Sequence, residues 1–174
     1  MFSGQLPQLI DPRKFADQGV QIEGQTSIGN LPRLAEYRDS DQQMVSASLQ
    51  FGRDEDDRRR VTGHVSASLS LPCQRCLEPV TYQIDARVDL VMVWDEEQMK
   101  ALPEHLDPMM ISEDKVPLAE LLEEELLLAL PLVALHDTCP TSLVREHAQT
   151  DADAGAVKPD NPFAVLAKLK RQQD

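Results

Sequence analysis

The sequence predicts an α+β domain, an antiparallel β-meander covered by one long helix, with a flexible linker and a short C-terminal helix behind it. Three observations carry this expectation. Apolar residues alternate with polar ones through three stretches, 45–51, 61–71 and 80–94, and a period of two marks strands with one buried and one wet face. A leucine-rich segment, Leu118–Leu130, starts after Pro117 and stops at Pro131. Finally, Cys73-Gln-Arg-Cys76 occupies the tight link between two of the alternating stretches.

A chain of 174 residues accommodates one domain with a proper core. Its 17 basic and 30 acidic residues give a net charge of −13, a balance that favours solubility and repels phosphate backbones. Most of the excess lies in Asp95 to Glu125, with eleven carboxylates against two lysines. Pro7, Asp11 and Pro12 stand where a signal peptide needs an apolar run, and no stretch has the length of a membrane span. The expected location is the cytoplasm. In that reducing compartment three cysteines imply plain thiols or metal ligands rather than a structural disulfide.

Taken in order, residues 1–18 read as a leading arm in which Asp11 caps a short helix at Pro12–Asp17. Val20, Ile22, Gly24, Thr26 and Ile28 alternate as a strand, and Leu31 to Tyr37 fits one or two helical turns beginning at Pro32. The three clear strands follow. Their first link, Arg53–Arg60, holds four basic and four acidic residues beside Gly52 and reads as a solvated turn. The second link is the cysteine knuckle, so the meander places charge at one end of the sheet and thiols at the other.

Asp95 to Lys115, broken by Pro103 and Pro108, reads as a long acidic loop. In the helix Leu118–Leu130, a spacing of 100° per residue gathers Leu118, Leu121, Leu122, Leu126, Leu128 and Ala129 on one arc. Each of these leucines contributes roughly 1.5–3 kcal/mol when fully buried. Glu120, Glu123 and Glu124 lie opposite, and Leu127 points to that polar side as a stray exposed leucine. Glu125 falls inside the apolar arc, where it needs a partner such as Arg75 or Arg87, or an edge position that reaches water. These elements give a domain over residues 1–145, a linker over 146–160 without apolar periodicity, and a helix over 161–174. In that last segment Asn161 caps and Lys168, Lys170 and Arg171 complement the C-terminal dipole.

Two thiols in a hairpin turn can aim at one point, as in a zinc knuckle, and zinc takes four ligands. His136 and Cys139, again close in sequence, follow the long helix and supply the remaining pair. Cys73, Cys76, His136 and Cys139 are therefore the candidate Cys3His metal ligands. Set against this is a protein without a cofactor, its thiols reduced in a turn. Redox chemistry is disfavoured because the motif joins two strands and lacks the helix N-terminus that lowers a thiol pKa. His64, His105 and His147 have no evident nucleophilic partner, and no glycine-rich phosphate loop is present. The basic runs are Arg58-Arg59-Arg60, offset by Asp54 to Asp57, and the C-terminal lysines. With only seven aromatics, stacking platforms for RNA are missing, so contact with rRNA is expected to be indirect or local.

Leu71-Pro-Cys-Gln-Arg-Cys76, Leu126–Pro131 with its preceding glutamates, His136-Asp137 and Asn161-Pro-Phe-Ala-Val-Leu-Ala-Lys-Leu-Lys170 occur in that order. Together they resemble the YceD family, the large ribosomal RNA subunit accumulation proteins of bacteria, from Leu9-Ile-Asp-Pro12 to the C-terminal segment. The resemblance implies a role in synthesis, processing or stability of 23S rRNA and does not imply an enzyme. Some similar proteins carry more cysteines after the long helix, where this chain keeps His136 and Cys139. The expected function is thus a non-enzymatic ribosome-biogenesis factor. It would act as an adaptor with ribosomal or ribosome-assembly proteins as partners and no membrane. The alternative is a zinc- or thiol-dependent enzyme acting on rRNA or its precursors.

Overall fold

Alternation over long stretches produces three strands at the centre of the molecule. The computed structural model describes residues 2–40 and 42–139. They belong to a compact unit, Met1–Ser142. The expected linker over 146–160 and helix over 161–174 lie outside the described residues. In chain order the elements are β1 (Phe2–Gln5), β2 (Leu9–Ile10), α1 (Pro12–Gln18), β3 (Gln21–Ser27), and the 3-10 helices Ile28–Asn30 and Pro32–Tyr37. β4 (Met44–Arg53), β5 (Arg59–Pro72), β6 (Pro79–Val93), α2 (Glu96–Ala101), β7 (Asp107–Met110), β8 (Val116–Pro117) and α3 (Leu118–Leu128) follow.

β3 to β6 form the expected antiparallel meander, in which Ala47 faces Val65 and Val65 faces Ala86. The sheet as a whole is nevertheless mixed and not purely antiparallel. Its order is β1-β3-β4-β5-β6-β7, and both outer strands, β1 against β3 and β7 against β6, run parallel to their neighbours. Each is four residues long, too short to show a period. Close approach of glycines makes the first pairing fit, because a Cβ on Gly24 would lie 2.1 Å from the carbonyl oxygen of Gly4. In β7, Pro108 lacks an N–H, which an outermost strand tolerates and a central one does not. The acidic segment after Asp95 therefore contains a strand, and also a helix. The Asp95 carboxylate accepts from Gln98 N at 2.7 Å, while the Gln98 side chain accepts from Trp94 N at 3.1 Å, a reciprocal cap that starts α2.

Nor does one long helix cover the apolar face. α1 packs on β4 and β5, where Phe15 meets Phe51 edge to face at 5.5 Å. The 3-10 helix Pro32–Tyr37 lies against β5 and α3, and α3 itself covers β5 and β6. Because α3 touches that 3-10 helix as well as the sheet, its buried arc turns by about 60° from the expected one at 100° per residue. Leu118, Leu121, Leu122 and Leu126 are buried as expected, whereas Leu128 is 77% exposed and Leu127 packs against the core. Glu123, expected on the polar side, is buried. Its Oε1 accepts from Arg33 N at 2.8 Å, capping the Pro32–Tyr37 helix, whose own N-cap Leu31 makes no side-chain bond.

The charged link between β4 and β5 is more than a solvated turn. Asp17 at the end of α1 bonds Arg53 Nη2 at 2.7 Å and Arg59 Nε at 2.9 Å, tying helix and hairpin together. Hydrogen bonds from Arg59 and Arg53 hold its carboxyl down from the ordinary 3.8 to about 2. A depressed folded-state pKa contributes stability that is present above about pH 4 and is lost as pH falls through about 2. Urea unfolding between pH 2 and 6 is expected to show Asp17→Asn flattening this acid limb. An unchanged slope would mean that the cluster is energetically idle.

Candidate metal centre

The link between β5 and β6 is a six-residue knuckle closed by Pro72 opposite Pro79. Cys73 N donates to the Glu78 carbonyl at 2.9 Å and Leu77 N to the Cys73 carbonyl at 2.8 Å. Leu77 takes a positive φ of 66°, which bends the turn so that both thiols point inward. After α3 and Pro131 the chain crosses this end of the sheet as a strap. Gln74 N donates to the Ala134 carbonyl at 2.8 Å, and the Tyr82 hydroxyl donates to the Leu135 carbonyl and accepts from Leu135 N, both at 2.9 Å. Those bonds deliver His136 and Cys139 to the knuckle.

All four residues expected as ligands meet there. One ligand atom from each of Cys73, Cys76, His136 and Cys139 lies within 4.8 Å of the others. Cys73 Sγ is 3.9 Å from Cys139 Sγ, and Cys76 Sγ is 3.4 Å from His136 Nδ1. A tetrahedral ion at ordinary Zn–S and Zn–N distances spaces three sulfurs and one nitrogen by about 3.5–3.8 Å, so adjustments of up to about 1 Å bring the four atoms to that geometry. Cys73 and Cys76 are buried, His136 and Cys139 half-buried.

The imidazole is oriented for ligation. His136 Nε2 lies 3.1 Å from the Pro79 carbonyl oxygen, which can only accept, so Nε2 carries the proton of the neutral ring. Nδ1 then presents its lone pair to Cys76. Such an outer hydrogen bond fixes both the ring plane and the tautomer of a metal-binding histidine.

Backbone dipoles prepare one thiol, that of Cys73. Burial pushes the Cys73 thiol up, but the amides of Cys76, His136 and Arg75 more than offset it and bring it down to about 5. These amides, two from the knuckle and one from the strap, take the place of the helix N-terminus that the sequence lacks at this point. The Cys139 thiol is pushed up, by burial and then by hydrogen bonding with Cys76 and Cys73. One preformed thiolate beside a set of further thiols is a cluster able to coordinate a metal ion. Gln74, Tyr82 and the Pro79 carbonyl complete the site. Period-two patterning places Tyr82 on the apolar side of β6 but gives no sign that its hydroxyl holds a segment 53 residues away.

Residues 61–170 match the family model described as large ribosomal RNA subunit accumulation protein YceD. The chain belongs to the YceD family. A relative of that description from Haemophilus influenzae is 33% identical over 170 residues, covering 96% of this chain and 97% of its own. No solved structure matches. Membership in YceD places the chain among accessory factors of the ribosome and not among enzymes, as the sequence implied. Its partners are accordingly ribosome-related. Among the described residues, no helix is long and apolar enough to cross a membrane.

Proposed function

We propose that the chain is a cytoplasmic adaptor for accumulation of 23S rRNA in the large subunit, and that its cysteine–histidine cluster holds a structural zinc ion. One observation carries the second part. Protein side chains supply all four positions of a tetrahedral site, so none is left open for water or substrate, the arrangement of a structural rather than a catalytic zinc. What such an ion supplies is a crosslink between the β5–β6 knuckle and the strap.

The adaptor reading rests on what the surface offers. The wet face of the central strands carries Ser46, Ser48, His64, Ser66 and Asp85, with His64 Nδ1 3.2 Å from Asp85. The exposed cation of that face, Arg87 opposite His64, is paired with Asp89, and the residues named there include no aromatic ring, so the face is poorly suited to holding RNA directly. Protein contacts to a ribosomal or assembly partner suit it better, with the basic segment around Lys168, Lys170 and Arg171 as a second point of attachment. The test is complementation of a null strain. The full chain is expected to restore 23S rRNA, and a chain ending at Ala148 to fail. Full rescue by the truncated chain would sink the two-point adaptor.

A further inference from the structure

Between β7 and α3 runs a groove of about 820 Å³ whose floor is apolar and whose rim is acidic. Leu90, Met109 and Leu121 line its base. Along α3, Glu120, Glu124 and Leu128 follow one another at intervals of one turn, with Asp107 on the strand side. Leu128 is 77% exposed and Met110, at the opposite lip, 44%. The cation lining the groove, Arg87, is engaged with Asp89 at 3.3 Å. Among the described residues, Asp107, Glu120, Glu124 and Glu125 make no ion pair. Burial pushes the Glu125 carboxyl up, and repulsion from Glu124 and Asp107 adds to it.

Like charges one helical turn apart repel each other, so this rim is unfavourable until something cationic neutralises it. A divalent ion does not fit. The four thiol and imidazole ligands are the group of metal-binding side chains that converge among the described residues, and the groove carboxylates are not part of it. A nucleic acid is repelled by the same charges. Strand addition is also poor, since β7 is four residues long and contains Pro108. What matches an acidic rim on an apolar floor is a helix with lysine or arginine flanking a leucine or methionine stripe.

We infer that the β7–α3 groove docks a basic amphipathic helix of a partner protein, with Leu128 and Met110 gripping its apolar stripe and Glu120 and Glu124 its cations. This names the surface for the adaptor proposed above and rests on that reading for the class of partner.

The experiment uses the full-length protein and a fluorescein-labelled, 16-residue synthetic peptide with leucines at helical spacing flanked by lysines. Fluorescence anisotropy at low salt is expected to show saturable binding that weakens as salt rises. The Glu120→Gln/Glu124→Gln double variant is expected to bind at least about tenfold more weakly, and Leu128→Ser about fivefold. All three positions are exposed, and unchanged circular dichroism would confirm the fold. Equal binding by the variants would overturn the inference, as would equal binding of a lysine peptide with its leucines scrambled off one face. Direct binding of a fluorescein-labelled single-stranded RNA to the protein, lost in Leu128→Ser, would overturn it in favour of RNA. A wild-type dimer in sedimentation that Leu128→Ser dissociates would overturn it in favour of a second copy. No ribosome enters this assay, so failure here removes the groove and leaves the complementation test standing. Failed complementation with intact peptide binding removes the ribosomal role and keeps the groove.

Discussion

Purified under metal-sparing conditions, the protein is expected to carry one zinc ion per chain, and Cys73→Ser to lose it along with roughly 6–12 °C of thermal stability. The magnitude follows from what the ion ties together. Residues of the strap reach the sheet through Gln74, Tyr82 and the cluster, and Cys73 alone touches both the His136 amide and Cys139 Sγ. Removing Cys73 leaves one buried thiol, one half-buried thiol and an imidazole without their common partner. We place the loss at about 3 kcal/mol, and a domain of this size shifts its Tm by about 2–4 °C per kcal/mol. A strong chelator should lower the wild-type Tm by a comparable amount and leave Cys73→Ser unmoved. Native mass spectrometry that finds no zinc, or a wild-type Tm indifferent to the chelator, would return these side chains to ordinary thiols.

The second large effect lies at the centre of the sheet. Gly63→Ala is expected to destabilise the domain by at least about 3 kcal/mol. Gly63 sits in β5 opposite Leu49 of β4 and Val88 of β6, with φ at 149°, a conformation that L side chains rarely adopt. An added Cβ would meet the Ser48 carbonyl oxygen at 2.0 Å and Leu49 Cα at 3.0 Å. Both are backbone atoms of a paired strand, so neither can swing aside as a side chain would. Relief requires opening the β4–β5 ladder in the middle of the core. Urea denaturation of Gly63→Ala beside Gly52→Ala, whose Cβ would meet nothing within 4 Å, separates this clash from a general effect of strand glycines. Equal stability of the two variants would contradict it.

What could be read from the residues divides along physical lines. Alternations over 45–51, 61–71 and 80–94 specified β4, β5 and β6, because a period of two held over such runs has no helical counterpart. The cluster of Cys73, Cys76, His136 and Cys139 was legible because thiol and imidazole pairs at short spacing have few other uses, but the strap that carries the second pair to the knuckle was not. The parallel outer strands were not, since β1 and β7 owe their place to Gly4, Gly24 and an unpaired edge rather than to any pattern of their own. Glu123 was misplaced for a related reason. Its burial depends on an orphan amide at Arg33, 90 residues earlier, and helical periodicity contains no information about that partner. The same contact rotates α3, exposing Leu128 and drawing Leu127 inward. α2 is the one element whose signal was present and missed, in the reciprocal cap of Asp95 and Gln98.

The two outer strands have a further consequence. A sheet ending in long, flat, apolar strands offers unpaired amides and carbonyls to the next molecule, and chains at high local concentration then stack into fibrils. Here one margin ends in four residues that include Gly4 at a φ of 122°, and the other in four that include Pro108. Neither presents a ladder long enough to template another strand. Such a protein can be concentrated without polymerising through the margins of this sheet, and a partner that meets those margins is recognised through side chains rather than by strand addition.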